Sequence, residues 1–84
     1  MDLAGRFEWY DLELAPGGAL KSEGHDPGTR EHLTIIRGVV DVFVGDVHKR
    51  VRSGETVRYR GDRLHEIRNA ARTKARAVLV VVHG

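Results

Sequence analysis

The chain has 84 residues, no cysteine, and 14 lysines and arginines against 12 aspartates and glutamates, for a net charge of +2. One domain of that length buries only about 60% of the surface its unfolded chain exposes, so a partner chain or a bound metal would help to hold it. The composition excludes disulfides and thiolate ligands, a membrane span of about 20 apolar residues, and a nucleic-acid interface built on net charge alone. The start Met1-Asp2-Leu3-Ala4-Gly5 lacks the basic and apolar regions of a signal peptide, which makes a cytoplasmic protein the expectation.

Phe7 to Leu14 reads as a first strand, ended by the turn signal Ala15-Pro16-Gly17-Gly18. A loop follows over Glu23 to Gly28 and carries His25. The run Glu31-His32-Leu33-Thr34-Ile35-Ile36-Arg37 alternates as a strand up to Gly38. Beyond it Val40, Val42 and Val44 point one way while Asp41 and Phe43 point the other. Gly45-Asp46 fits a two-residue hairpin turn into Val47 to Arg52. Thr56 to Arg60, Leu64 to Asn69 and Ala75 to His83 complete about seven strands, with Gly61-Asp62 and Ala70 to Lys74 as connections. Short strands with closely spaced turn signals and no helical periodicity predict an all-β sandwich or barrel.

Strand parity singles out two polar residues. Glu31 shares a face with Leu33 and Ile35, and His65 shares one with Ile67, opposite Glu66 and Arg68. A carboxylate in line with apolar residues must be hydrogen-bonded, neutralised or coordinated, because an isolated buried charge costs several kcal/mol. The simplest resolution is that Glu31 and His65 meet. His32 falls on the opposite, exterior face, and His48 and His83 have no partner at ligand spacing. Asn69, on the parity of His65, is expected to be a structural hydrogen-bonder.

Arginines 50, 52, 58 and 60 would share one face if Ser53-Gly54-Glu55 joins two paired strands, and a solvated outer face is the expectation for them. Ile36 and Phe43 fall on outward parities, Trp9 lies in the first strand, and the last strand is apolar on both faces through Val78, Val80 and Val82 opposite Leu79 and Val81. A strand apolar on both faces is buried on both, which predicts a homodimer with the first and last strands near the interface.

These residues resemble the cupin family over about Phe7 to Val82, as a single domain spanning 1–84. The first family motif is matched by His25-x-Pro27-x3-Glu31-x6-Gly38, with Pro27 where the family has a second histidine. The second is matched by Gly54-x5-Arg60-x-Asp62-x2-His65-x3-Asn69, where Arg60 and Asp62 replace a proline and a glycine. The resemblance implies an all-β, jelly-roll-like antiparallel barrel with His25, Glu31 and His65 at the family's metal-ligand positions. Two histidines and a carboxylate suit Fe(II), Mn, Ni or Zn with coordination positions left open. Without a metal, the same three side chains would form a polar floor that hydrogen-bonds an organic ligand, below walls that include Val40, Val42, Tyr59 and Ile67.

The wording of both motifs is most similar to the C-terminal sensor cupins of helix-turn-helix regulators, which are thought to bind a small effector. No DNA-binding helices are encoded in this sequence, so no direct nucleic-acid contact is expected of it. Three functions follow from the resemblance: a small-molecule or metal-binding sensor module, a metal-dependent dioxygenase, isomerase or epimerase, or a structural oligomerisation module. The sensor reading is favoured because the ligand set is incomplete and no general acid or base stands apart from it.

Overall fold

Apolar alternation becomes strand over most of residues 7–84, the part of the chain that the computed structural model describes. Eight strands form, namely β1 (Phe7–Leu14), β2 (Ala19–Ser22), β3 (Arg30–Arg37), β4 (Val39–Val44), β5 (Val47–Arg52), β6 (Thr56–Arg60), β7 (His65–Arg68) and β8 (Ala75–Val82). Sequence patterning misses β2. Its Ala19-Leu20-Lys21-Ser22 has a single large apolar residue, and that residue, Leu20, is exposed.

The strands pair antiparallel into two four-stranded sheets, ordered β1-β8-β3-β6 and β2-β7-β4-β5. Their inner faces enclose the core, with Leu33 and Ile35 from the first sheet against Val40, Val42, Val51 and Ile67 from the second. On β3, β5, β6 and β7 the inner row alternates with an outward row that is mostly polar, as a sheet buried on one face requires. The motif glycines serve the corners. Gly38, between β3 and β4, has φ 89°, and a Cβ there would sit 3.1 Å from the Ala75 Cα and the Lys74 carbonyl oxygen. Gly54, between β5 and β6, has φ 85°. Both conformations are ones that L side chains seldom adopt.

Two expectations change once the pairing is known. Ser53-Gly54-Glu55 does not close a hairpin, because β5 pairs with β4 and β6 pairs with β3. Arginines 50 and 52 therefore lie on the outside of one sheet and arginines 58 and 60 on the outside of the other. Alternation alone cannot distinguish a turn within a sheet from a corner between sheets. On the first sheet, Phe7, Trp9, Val78, Val80 and Val82 share the outer face by register, and Trp9 is 66% exposed.

Candidate functional site

Register explains why the polar residues converge. Glu31 stands opposite Tyr59 on β6 and Val81 on β8, facing inward in line with Leu33. His65, the first residue of β7, stands opposite Val44 and faces inward from the other sheet. Their side chains are 1% and 5% exposed. His25 reaches the same point from the β2–β3 loop and stays 43% exposed. The loop is pinned to the β6–β7 turn by the His25 amide, which donates to the Gly61 carbonyl at 2.8 Å, and by the Gly28 amide, which donates to Asp62 Oδ2 at 2.9 Å. Asp62 is in turn gripped at both oxygens by Arg60, at 3.0 Å each. Arg60 and Asp62, the two departures within the second motif, thus form the clamp that holds the loop of His25.

Glu31 is satisfied at each oxygen. Oε1 accepts the Tyr59 hydroxyl at 2.7 Å, while Oε2 lies 3.1 Å from His25 Nε2 and 3.2 Å from His65 Nε2. Burial alone would raise the Glu31 pKa, but hydrogen bonds from His65 and Tyr59 outweigh it and hold the carboxyl below its ordinary range. Burial, reinforced by the Glu31 charge, pushes the Tyr59 hydroxyl far up, so it keeps its proton and acts as a donor. The hydrogen bond to Glu31 raises His65 against the opposing effect of burial.

His65 Nδ1 lies 2.7 Å from the Arg63 carbonyl oxygen. A carbonyl only accepts, so Nδ1 carries the proton, and in neutral imidazole Nε2 then has a lone pair. That lone pair points at a carboxylate oxygen. The arrangement is stable only with something positive between them, either a second proton on His65 or a metal ion. The donor set fits an ion. Two nitrogens and one carboxylate oxygen lie within 4.8 Å of one another. Atoms about 2.0–2.2 Å from one ion sit roughly 3.0–3.5 Å apart, the spacing found between Glu31 and each histidine.

The remaining sequence candidates are dispersed. Tyr59 and Val42 line a cleft of about 420 Å³ between the free edges of β5 and β6, together with Val44, Val47, Val57 and Lys49. Val40 and Ile67, named with them as pocket wall, do not line this cleft and are buried like Val42, at 1%, 3% and 2% exposure. They share the inward parity, but Val40 lies toward the closed corner and Ile67 on a strand flanked on both sides. His32 is on the exterior face. His48 pairs with buried Asp41 at 3.1 Å and His83 with Glu8 at 2.7 Å, both away from the centre. Asn69 is fully buried and bonds the Leu14 and Thr73 carbonyls and the Ala71 amide. Sequence reasoning missed Gly61, where a Cβ would lie 3.0 Å from Glu31 Oε2, and it left Tyr59 as pocket wall, hydrogen-bond donor or core residue with no acceptor named. The pairing that sets Tyr59 opposite Glu31 links residues 28 apart and left no local signal.

Comparison with known proteins agrees with this fold. The family model described as "Cupin domain" matches residues 10–82. The chain is 33% identical over 63 residues to the HTH-type transcriptional regulator SutR of Escherichia coli (strain K12), an alignment that takes in 75% of this chain and 35% of that protein. Among solved structures, the Cupin_2 domain of an XRE family transcriptional regulator from Enterobacter cloacae superposes with a TM-score of 0.91 at 24% identity, covering 99% of this chain and 87% of that one. An HTH_3 family transcriptional regulator from Vibrio cholerae gives 0.90 at 21% identity, with 100% of this chain set against 48% of that one. The chain therefore spans about a third of the curated relative and about half of the Vibrio protein.

Proposed function

The chain belongs to the cupin domain family, and from that premise we propose that it is a ligand-sensing module whose centre, His25, Glu31 and His65, takes a divalent ion of the Fe(II), Mn, Ni or Zn type. The observation that carries this reading is the Nδ1 contact of His65 with the Arg63 carbonyl, which leaves Nε2 as a lone pair aimed at the Glu31 carboxylate. A bound ion would supply open coordination positions for a polar group of an effector. The protein's own residues do the rest. Tyr59 fixes the Glu31 carboxylate through Oε1, Arg63 fixes the His65 ring, and the Arg60–Asp62 clamp holds the loop of His25.

A sensor is favoured over a metal-dependent dioxygenase, isomerase or epimerase because the family's ligand set is incomplete at Pro27 and no general acid or base stands apart from the three ligands. Tyr59 donates a hydrogen bond to Glu31 and so orients the centre. Similarity to SutR supports a place within a regulatory protein. With this reading goes a cytoplasmic location; among the described residues no helix is long and apolar enough to cross a membrane. The outer face carrying Phe7, Trp9, Val78, Val80 and Val82 is assigned to a homodimer contact.

The test is elemental analysis of protein purified without chelator, paired with thermal unfolding after addition of each ion. We expect one ion per chain. Glu31→Ala and His65→Ala should each abolish its uptake and His32→Ala should leave it unchanged. Absence of metal together with no thermal gain from any of the four ions would overturn the metal centre.

A further inference from the structure

One charged residue occupies an apolar inward row and has no charge to answer it. On β5 the inward positions are Val47, Lys49 and Val51, facing Val44, Val42 and Val40 of β4 in register. Lys49 thus sits on the valine side of its strand, and among the described residues its ammonium has no hydrogen bond or ion pair. Val47 shares the peculiarity. It faces inward and is nevertheless 66% exposed, at the end of β5 far from the Ser53–Glu55 corner. Here lies the cleft of about 420 Å³, a volume in the range of small-molecule sites. Arg58, also without a partner among the described residues, stands at the opposite lip on β6, and no carboxylate lines the space.

We propose that the cleft between β5 and β6 binds a small organic acid, its carboxylate held by Lys49 and its hydrocarbon body against Val42, Val44, Val47 and Val57. The apolar walls select a body that gains by leaving water, and the two unanswered cations at the lips select a single anionic head. This deepens the sensor reading and rests on it, because Tyr59 joins the two places. Its ring lines the cleft and its hydroxyl holds Glu31 Oε1 at 2.7 Å, so an occupant presses on the residue that orients the metal-facing carboxylate. The competing role for an inward lysine on an edge strand is to block edge-to-edge pairing of chains, which needs no ligand.

Titration of the 84-residue chain with hexanoate, hexanamide and inorganic phosphate, followed by valine methyl NMR, separates these roles. Hexanoate should shift the Val42, Val44, Val47 and Val57 methyls saturably. Hexanamide should bind about tenfold more weakly, and K49Q should erase that difference, since a hydrogen bond to a charged group contributes about that much. The proposal is overturned if acid and amide bind alike, if K49Q keeps the preference, if phosphate binds as tightly as hexanoate, or if the saturable shifts map elsewhere. A K49Q chain that only associates more would assign Lys49 to edge protection. Metal uptake in the same samples keeps the two readings apart. Uptake without a hexanoate response overturns the cleft alone, and a hexanoate response without uptake supports the cleft and overturns the metal centre.

Discussion

Glu31→Gln should destabilise the metal-free protein at pH 6 and cost progressively less as the pH rises through the folded pKa of His65. At pH 6 His65, whose pKa is raised by the Glu31 hydrogen bond, carries a second proton and donates from Nε2 to Oε2, 3.2 Å away in a site where the side chains are 5% and 1% exposed. Glutamine keeps the shape and can still accept the Tyr59 hydroxyl. It turns a charge-assisted bond of about 1.5–3 kcal/mol into a neutral one of about 0.5–1.5, a net loss of about 1–2 kcal/mol. For a domain of this size that is roughly 4–16 °C in Tm.

The sign reverses with pH. A histidine whose folded pKa is raised contributes stability that is fully present below its unfolded value of about 6.5 and is lost as pH rises through the folded value. Glu31, lowered in the fold, contributes above about 4.3 and loses that contribution as pH falls through its folded pKa. Wild type without metal should therefore be helped most by this pair between about pH 4.3 and 6.5, whereas once the pH has risen through the folded His65 pKa two lone pairs face each other. There the glutamine amide donates to neutral Nε2 and the penalty shrinks toward zero. Differential scanning fluorimetry of both proteins from pH 5 to 9, in chelator, reads the effect directly. A Tm loss that stays the same from pH 5 to pH 9 would refute the assignment of the proton. Metal should invert the profile, with a Tm gain for wild type that grows with pH as the ion replaces the proton.

Gly61→Ala should lower metal affinity about 10- to 100-fold by competition with a chromophoric chelator, because its Cβ would stand 3.0 Å from Glu31 Oε2 and 3.1 Å from Thr29 Cγ2; unchanged affinity would show that the carboxylate has room to move. Asn69→Ala should cost about 2–4 kcal/mol in urea unfolding, since three hydrogen bonds end on that side chain and two carbonyls lose their donor. A loss under about 1 kcal/mol would mean that water replaces the amide. Light scattering at micromolar concentration should give twice the 9.4 kDa chain mass for wild type and the single mass for Trp9→Glu; a monomeric wild type removes the homodimer.

Inwardness was legible in the sequence wherever a polar residue broke an apolar row. Glu31 among Leu33 and Ile35, and His65 beside Ile67, were placed by period-two alternation alone, and the structure brings them to 3.2 Å. Partnership across strands was not legible. Which strand lies beside which is a choice made by the whole fold, so Tyr59 opposite Glu31, and the separation of β5 from β6, emerged only with the sheet order. Depth within an inward row was hidden for the same reason. Val40 and Val42 have identical parity, yet Val42 borders the cleft and Val40 is enclosed near the corner. The strand β2 escaped because its pairing with β7 rests on backbone hydrogen bonds with little apolar burial, which composition does not record.

The motif departures at residues 27, 60 and 62 bear on the centre in two different ways. Proline at 27 stands where the family motif has a histidine, so this loop offers His25 as its single nitrogen ligand to the proposed ion. Arginine at 60 and aspartate at 62 give the loop an attachment of another kind, since Asp62 accepts from the Gly28 amide at one oxygen while Arg60 holds both. The carboxyl of Asp62 is held well below the usual range by Arg60 first and the Gly28 amide second, so this clamp stays charged throughout the pH range in which His65 exchanges its proton. His25 is therefore positioned by a device that does not titrate alongside the centre. Proton loss from His65 can accordingly make room for an ion while the neighbouring ligand stays where it is, which is what a centre with three protein ligands and open positions requires.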